Sequence, residues 1–190
     1  KLNAYWNLDD QVSEQIISNE KEAEHQLENL IYKSVEKRLV SDVPLGTFLS
    51  GGIDSSTITS IASKLSPNRL NTFSIGFNDS KFDESQYSKK IASYLKTNHT
   101  EFILSEKEAI PYLEEMTGTF DEPFADTSAI PTMLISKLAS EHVKVILTGD
   151  GGDEQFLGYG SYNWADRLDY PILKNNLTKK GISKLLSMGQ

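Results

Sequence analysis

Two short segments of the chain combine glycines with hydroxyl or carboxyl side chains at spacings that could bind a phosphorylated ligand. The first, residues 50–56, has the sequence SGGIDSS between a short apolar run and an amphipathic helical pattern. Glycines allow a close backbone approach, and the N–H groups of a helix start attract anions. The hydroxyls of Ser50, Ser55 and Ser56 could complete such a cradle. The lysine of a Walker loop is absent. The alternative is a structural turn with Asp54 or Ser55 as the helix N-cap.

The second segment, residues 148–154, has the sequence TGDGGDE and follows another apolar run. Its three carboxylates would repel a phosphate unless a divalent cation lay between them. Magnesium is bound by one or two carboxylates together with phosphate oxygens and water, so Asp54 and Asp153 are the predicted Mg²⁺ ligands. Asp150 is assigned to the same site. For Glu154 the simpler interpretation is favoured, an acid that stabilises a helix start by about 0.3–1 kcal/mol.

The rest of the sequence predicts strands that alternate with helices. Strands are expected at 45–49, 72–77, 100–104 and 143–147. Helices are expected at 20–40, between the first loop and Pro67, and at 83–96, 106–117 and 128–142. This alternation indicates a doubly wound α/β domain, a parallel sheet with helices on both faces. Ligands bind beyond the carboxyl ends of the strands of such sheets, where both glycine-rich segments fall.

The helix at 83–96 carries an apolar pattern. Four apolar or aromatic residues fall on one of its sides: Tyr87, Ile91, Tyr94 and Leu95.

The ends of the chain differ from this regular pattern. Residues 1–19 are polar and aperiodic and predict a connector from an upstream segment, so the domain is expected over 20–190. Beyond Trp164 the sequence is helical in tendency but broken by Pro171 and Gly181. The domain is therefore expected to be truncated at its C-terminus.

Composition excludes several classes of function. The 190 residues include no cysteine, which excludes a disulfide framework, a thiolate zinc site and a cysteine nucleophile in this chain. The formal net charge of −8 argues against nucleic acid as a partner, because that binding requires Lys and Arg to neutralise phosphates. No run approaches the ~20 apolar residues that span a bilayer, so no membrane partner is expected and a cytoplasmic location is the default.

Both glycine-rich segments resemble motifs of one family. Residues 50–56 resemble the pyrophosphate loop, SGGxDSS, of the ATP pyrophosphatases and match it at every defined position. Residues 148–154 resemble the SGEGSDE-type segment of asparagine synthetases and the related β-lactam synthetases. The chain is thus similar, over about residues 3–159, to the synthetase domain of glutamine-dependent asparagine synthetases. The resemblance implies an adenine nucleotide alpha hydrolase-like fold, with ATP and Mg²⁺ as cofactors.

The resemblance also implies a reaction and a set of site residues. A carboxylate, expected to be the side chain of aspartate, would be activated as an acyl-AMP with release of pyrophosphate, and glutamine-derived ammonia would then form an amide. Leu49 and Ile75 would contact the adenine and ribose of ATP. The implied ATP-binding residues are Leu49, Ser50, Gly51, Gly52, Asp54, Ser55, Ser56, Ile75, Thr148 and Gly149. Asp150 replaces a Glu that acts near acyl-adenylate formation, and this shorter side chain leaves the identity of the acid open.

Other parts of such an enzyme would lie outside the two motifs. A glutaminase domain with an amino-terminal cysteine is the expected upstream partner, and a homodimer is an expected assembly. A catalytic lysine usually lies downstream, but four lysines there lack its context: Lys174, Lys179, Lys180 and Lys184. The chain by itself is therefore expected to bind Mg-ATP weakly without turnover.

Several alternatives stay open at this point. The same chemistry could serve a β-lactam synthetase-like or peptide-cyclising enzyme or a sugar-acid amidotransferase, and a non-catalytic nucleotide-binding module is a further alternative. GMP synthetases lack the second loop, and tRNA thiolases would require cysteines or a basic face. The roles of Glu84, Asp121 and Glu122 are open, since each could simply flank a helix. The three histidines, His25, His99 and His142, show no metal-binding spacing.

Overall fold

The computed structural model describes residues 4, 5, 7, 17–77, 84–122 and 126–162. Most of the predicted connector at 1–19 lies outside the described residues. The predictions for the tail, with its proline, glycine and lysines, also lie outside them. The chain divides into two compact units, residues 1–147 and 148–190. The sheet belongs to the first unit, and the second is described separately.

The described residues confirm the predicted alternation of strands and helices. The strands are β1 (Leu45–Phe48), β2 (Asn71–Phe77), β3 (Asn98–Leu104) and β4 (Val145–Leu147). The helices of the first unit are α1 (Glu20–Arg38), α2 (Ile53–Leu65), α3 (Ser85–Leu95), α4 (Glu106–Thr119) and α5 (Ala129–Ala139). A further short helix, α6 (Gly152–Phe156), belongs to the second unit. The elements therefore follow the order that the sequence predicts.

The junction of α5 and β4 departs from the prediction. The helix ends at Ala139 and the strand begins at Val145, so each is shorter than expected. The N–H groups of His142 and Val143 both donate to the Ala139 carbonyl, which closes a turn. Val143 is only 2% exposed, so it packs into the core from this turn instead of from the strand.

The four strands form a parallel sheet in the order β3-β2-β1-β4. Gly46 pairs with Asn71 on one side of β1, and Leu45 pairs with Val145 on the other. The chain thus proceeds outward from β1 to β3 and then returns to the opposite side of β1. Such a reversal of strand order opens a crevice outside the carboxyl ends of the strands. The predicted doubly wound parallel sheet is confirmed.

Helices cover both faces of this sheet. One cluster of buried residues, centred on Phe73, is packed by Ile135 of α5 and includes Ile146. The other is centred on Val35 of α1 and includes Leu147. Because successive strand residues point to opposite faces, Ile146 and Leu147 place the two clusters on opposite sides of the sheet.

The four apolar or aromatic residues on one side of α3 differ in their burial. Tyr87 and Tyr94 are 61% and 85% exposed, whereas Ile91 and Leu95 are half-buried. The fully buried residues of the helix are Ser85, Ser88 and Ala92. Beneath α3 lies a face of β2 and β3 with polar side chains. This polar face is described with the site below.

Among the described residues, none of the helices has the length and apolar character that crossing a bilayer would require.

Replacement of Phe73 by Ala should destabilise the fold by about 3–5 kcal/mol, because it removes a 1% exposed aromatic ring from the core and leaves a cavity. The free energy of unfolding in urea measures this cost. The matched control is Leu30→Ala on α1, where the side chain is 66% exposed and the cost should stay within about 0.5 kcal/mol. Equal costs for the two variants would contradict the assignment of the core.

Candidate functional site

The first loop joins β1 to α2 without a side-chain cap. Gly52 is the N-cap residue, and no side chain forms a capping hydrogen bond. The alternative in which Asp54 or Ser55 caps the helix is therefore wrong, because the helix begins at Ile53 and both residues lie within its first turn. Asp54 is an acidic residue in that turn, where the helix dipole favours a negative charge.

Gly51 in this loop is required for two separate reasons. Its φ of +91° lies in the left-handed region, which L side chains rarely adopt. A Cβ atom at Gly51 would also lie 2.7 Å from Tyr87 Cβ and 3.0 Å from the Ser88 nitrogen. The loop therefore rests directly against the backbone of α3, a contact that the sequence did not reveal.

The hydroxyl groups of the loop are brought together as the sequence predicts, with one exception. Ser50 Oγ lies 2.9 Å from Ser55 Oγ, and the Gly52 N–H donates to Ser50 Oγ at 3.2 Å. The hydroxyls of Ser55 and Ser56 both donate to the Gly52 carbonyl, and Ser56 is the exception because it forms no hydrogen bond with Ser50 among the described residues. Two hydroxyls and the loop backbone thus form one polar cluster at the start of α2.

The first turn of α2 retains free hydrogen-bond donors. The N–H groups of Ile53, Asp54 and Ser55 have no acceptor among the described residues, as expected for the first N–H groups of a helix. An anion placed there would receive these N–H groups and the positive end of the helix dipole. The arrangement is suited to phosphate oxygens.

An open pocket of about 180 Å³ lies beside the loop. Three of its lining residues were predicted as nucleotide contacts: Leu49, Ser50 and Ile75. The others are Phe48, Phe73, Ser74, Phe77, Glu84 and Ile135. Most of these side chains are apolar, and the strand residues come from β1 and β2. The pocket therefore offers an apolar wall next to an anion-binding loop.

The sequence reasoning missed most of this lining. The missed positions Phe48 and Phe77 are the last residues of β1 and β2, so the ends of the predicted strands were the available signal. Ile135 comes from α5 and could not be found without the tertiary structure. Glu84, whose role was left open, precedes α3 and contributes the carboxylate of the pocket.

Polar side chains fill the sheet face under α3. The two ring nitrogens of His99 lie 3.0 Å from Thr72 Oγ1 and 3.2 Å from Ser74 Oγ. Glu101 pairs with Lys89 of α3, with 2.6 Å between Oε2 and Nζ. Burial lowers the pKa of His99 below 6.5, against the opposing effect of Glu101, and Lys89 lowers it further.

The second loop has its own local geometry, in the second unit. Gly151 has a φ of +89°, and a Cβ atom there would meet only Gln155 Nε2, at 3.8 Å. This glycine is therefore required for backbone conformation and not for space. Thr148 Oγ1 donates to Asp150 Oδ2 at 2.9 Å, so the threonine orients the carboxylate that was assigned to the site.

The two remaining acids of this loop have different surroundings. Both Asp153 and Glu154 lie in the first turn of α6. The hydroxyl of Tyr159 donates to Glu154 at 2.6 Å, which lowers the pKa of Glu154 and raises that of Tyr159 to about 12. The Asp153 carboxylate lies against Gly158 so closely that any side chain there would overlap it. Glu154 is thus held by a structural hydrogen bond, while Asp153 keeps its carboxylate without such a partner among the described residues.

The composition of the loops limits how a metal could be held. Within the described ranges, no group of three or more His, Asp or Glu side chains could hold a metal ion. A magnesium ion bound at either loop would therefore need phosphate and water oxygens to complete its ligands, which is how proteins usually bind this ion. Asp121 and Glu122, whose roles were open, are exposed.

Replacement of Gly51 by Ala should destabilise the fold by more than replacement of Gly151. Both residues have a left-handed backbone, for which a side chain costs about 1–2 kcal/mol, but the new methyl group at Gly51 would also overlap α3. We expect a cost of at least about 2 kcal/mol for Gly51→Ala, measured by urea unfolding. If Gly151→Ala lowered the free energy of unfolding by the same amount, the contact of Gly51 with α3 would add nothing to the cost of the substitution.

Acidification should weaken the fold through His99. Its pKa is lower in the folded chain than in the unfolded chain, so the unfolded chain binds the proton first as pH falls below 6.5. The contribution of His99 is complete above that value and declines as the pH falls toward the folded pKa. Unfolding in urea at about pH 7.5 and about pH 5.5 measures this, and His99→Gln should lose less stability between the two than the unsubstituted chain. An equal loss in both proteins would contradict the assignment.

Solved structures share the architecture. The chain is similar to an NMN synthetase from Francisella tularensis, with a TM-score of 0.50 and 15% sequence identity over 71% of this chain and 58% of that chain. A similarity at this level of identity concerns the fold alone. It agrees with the adenine nucleotide alpha hydrolase-like architecture that the sequence predicts.

Several curated proteins are similar in sequence. A Methanocaldococcus jannaschii protein described as a candidate asparagine synthetase (glutamine-hydrolysing) is 39% identical over 167 residues, 87% of this chain and 32% of its own length. Asparagine synthetase (glutamine-hydrolysing) 1 of Bacillus subtilis is 42% identical over 137 residues, 72% of this chain and 22% of its own length. The chain thus spans a third or less of these relatives.

Residues 26–187 match the asparagine synthase family, a range that includes both glycine-rich loops and every residue predicted for the site. With relatives at 39% and 42% identity over most of its length, the chain belongs to the asparagine synthase family.

Proposed function

We propose that this chain is the ATP-binding and carboxylate-activating part of a ligase that forms carbon–nitrogen bonds. The observation that carries the proposal is the loop from β1 to α2. It joins an uncapped helix start, a left-handed glycine and paired serine hydroxyls to an apolar pocket. This combination is suited to a ligand with an apolar ring at one end and phosphates at the other.

ATP fits both parts of this arrangement. The adenine and ribose would occupy the pocket, against Leu49 and Ile75, and the phosphates would be bound by Ser50, Ser55 and the first N–H groups of α2. Donors aimed at the phosphates from a fixed helix start can stabilise negative charge that develops when pyrophosphate leaves. Gly51 allows the loop backbone to turn, and Gly52 leaves the helix start without a side-chain cap.

Asp54 and Asp153 are the proposed Mg²⁺ ligands. When bound, the ion supplies positive charge that neutralises phosphate oxygens. Each aspartate lies in the first turn of a helix, and neither carboxylate forms a hydrogen bond or ion pair among the described residues. Both are therefore available as oxygen ligands. Glu154 is excluded from the proposed set because its carboxylate accepts the Tyr159 hydroxyl.

The acid that is activated is proposed to be aspartate, as its acyl-AMP, with ammonia as the attacking nucleophile. Support comes from the relatives, whose names state asparagine synthesis and glutamine hydrolysis. Asp150 would act near the acyl-adenylate, in the orientation given by Thr148, and Thr148 and Gly149 would lie at the nucleotide. A glutaminase domain upstream and a homodimer belong to this proposal, as does a cytoplasmic location.

A second candidate function is amide or ring formation on a different acid. Asp150 favours it, since its side chain is one methylene shorter than the Glu usual at this position of asparagine synthetases. A screen of carboxylic acids for acid-dependent pyrophosphate release separates the candidates. It should be run on the polypeptide in which the chain naturally occurs, with glutamine or ammonium as the nitrogen source. Release that depends on aspartate supports asparagine synthesis, and release with another acid supports the second candidate.

Asp54→Asn and Asp153→Asn should each reduce the affinity for ATP in the presence of Mg²⁺ by about tenfold or more, equivalent to about 1.4 kcal/mol or more. The reason is the loss of one anionic oxygen ligand. Calorimetric titration of the chain with ATP, with Mg²⁺ and then with EDTA, measures the difference.

The control for this experiment is Asp42→Asn, a change at an exposed residue before β1. It should leave the affinity for ATP unchanged, both in the presence of Mg²⁺ and in the presence of EDTA. Binding of ATP that is independent of Mg²⁺ and insensitive to both loop substitutions would contradict the metal site. Absence of any ATP binding would leave the chain without the proposed function.

A further inference from the structure

The first loop, residues 50–56, is the phosphate loop of the proposed function. Its Gly51 lies in contact with helix α3. The Cα of Gly51 approaches α3 so closely that an added Cβ would lie 2.7 Å from Tyr87 Cβ and 3.0 Å from the Ser88 nitrogen. Any shift of α3 toward or away from the loop must therefore change the space available to Gly51. The position of residues 87 and 88 limits where the loop backbone can lie.

The fully buried side chains of α3 are small, and its apolar Ile91 is only half-buried. The buried residues of the helix are Ser85, Ser88 and Ala92. The sheet face beneath carries the polar side chains of Thr72 and Ser74, which are 0% and 2% exposed. Small and polar groups bury little apolar area, and that area is the main source of packing stability. A polar interaction between α3 and the sheet can therefore add to what holds the helix in place.

An ion pair lies next to the contact with the loop. Lys89 follows Ser88 directly, and its Nζ lies 2.6 Å from Oε2 of Glu101 on β3. The Glu101 side chain is only 14% exposed, and its other oxygen, Oε1, is buried without a hydrogen-bond partner among the described residues. The Lys89 side chain is 55% exposed, so the buried partner of this pair is the carboxylate, which is costly without a compensating cation.

We propose that the Lys89–Glu101 ion pair positions the phosphate loop by fixing α3 against β3 at the residues that support Gly51. Both are positioning residues, since neither lies in the loop or lines the pocket. The inference rests on the proposed function, because it concerns how the same loop binds phosphate.

The inference predicts a selective effect on ligands that carry phosphates. Among the described residues that line the pocket, only Glu84 adjoins α3, and the rest come from the first loop, β1, β2 and α5. The wall for the nucleoside should therefore stay in place when the ion pair is broken. The loop should lose its support, and ATP should be bound less well while adenosine is bound as before.

The test compares the affinities of the chain for Mg-ATP and for adenosine by ligand-observed NMR, which detects weak binding. Lys89→Met should lower the affinity for Mg-ATP by about fivefold or more and leave that for adenosine almost unchanged. Lys89→Arg keeps the positive charge and should restore the affinity for Mg-ATP. A change that merely loosened the whole fold would lower both affinities together.

Two further variants complete the experiment. Glu101→Gln removes the charge at nearly constant size, avoids an unpaired buried carboxylate, and should show the same selective loss even if Lys89→Met fails to fold. Lys137→Met is the matched control, because the Lys137–Glu115 pair between α5 and α4 is 3.9 Å long and more than half exposed on both sides. It should leave both affinities unchanged.

The outcomes separate this inference from the proposed function. Equal losses for Mg-ATP and adenosine in Lys89→Met and Glu101→Gln, or no loss for either ligand, would overturn the inference and leave the proposed function intact. The same selective loss in Lys137→Met would also overturn it. Absence of Mg-ATP binding by the unsubstituted chain would overturn the proposed function, and the inference with it.

Discussion

The contact between Gly51 and the backbone of α3 is the constraint around which the first unit is organised. At this point the chain leaves β1, turns through a left-handed residue and begins α2 without a cap. A side chain at Gly51 would overlap Tyr87 and Ser88. The backbone of the loop is thus in direct contact with α3 at this glycine. Because a parallel sheet places the ends of β1 and β2 at the same edge, the apolar pocket forms beside this turn.

The two faces of the sheet differ in how they contribute to this arrangement. The face under α5 is apolar, is centred on Phe73, and supplies one wall of the pocket. The part under α3 is polar, with His99 bonded to two hydroxyls and Glu101 paired to Lys89. Hydrogen bonds and ion pairs restrict the positions of side chains more narrowly than apolar packing does, but the ion pair depends on the charges of Lys89 and Glu101. The site thus lies between an apolar core and a polar layer that contains His99 and the Lys89–Glu101 pair.

Much of this could be predicted from the sequence, and the failures have physical causes. The strands and helices follow from hydrophobic periodicity, and the loop from its glycines and hydroxyls. The apolar pattern of α3 does not show which residues are buried, because Tyr87 and Tyr94 are exposed and the sheet face beneath the helix carries polar side chains. The capping alternative at Asp54 failed because the helix start lies two residues earlier, with Gly52 as the N-cap, and such a shift cannot be read from composition. Ile135 lines the pocket from α5, which is far from the first loop in the sequence. Local sequence patterns cannot predict where such a helix packs.

The sequence by itself determined the alternation of elements, the two glycine-rich loops and the family, because these depend on residue types at short spacings. Only the tertiary structure decided which side chains meet. It showed that Gly51 is required for space as well as for conformation, whereas Gly151 is required for conformation only. It also showed that Glu84 lines the pocket and that Lys89 reaches Glu101. The physical reason is that such contacts join residues on different elements, and their distances are set by strand order and helix packing.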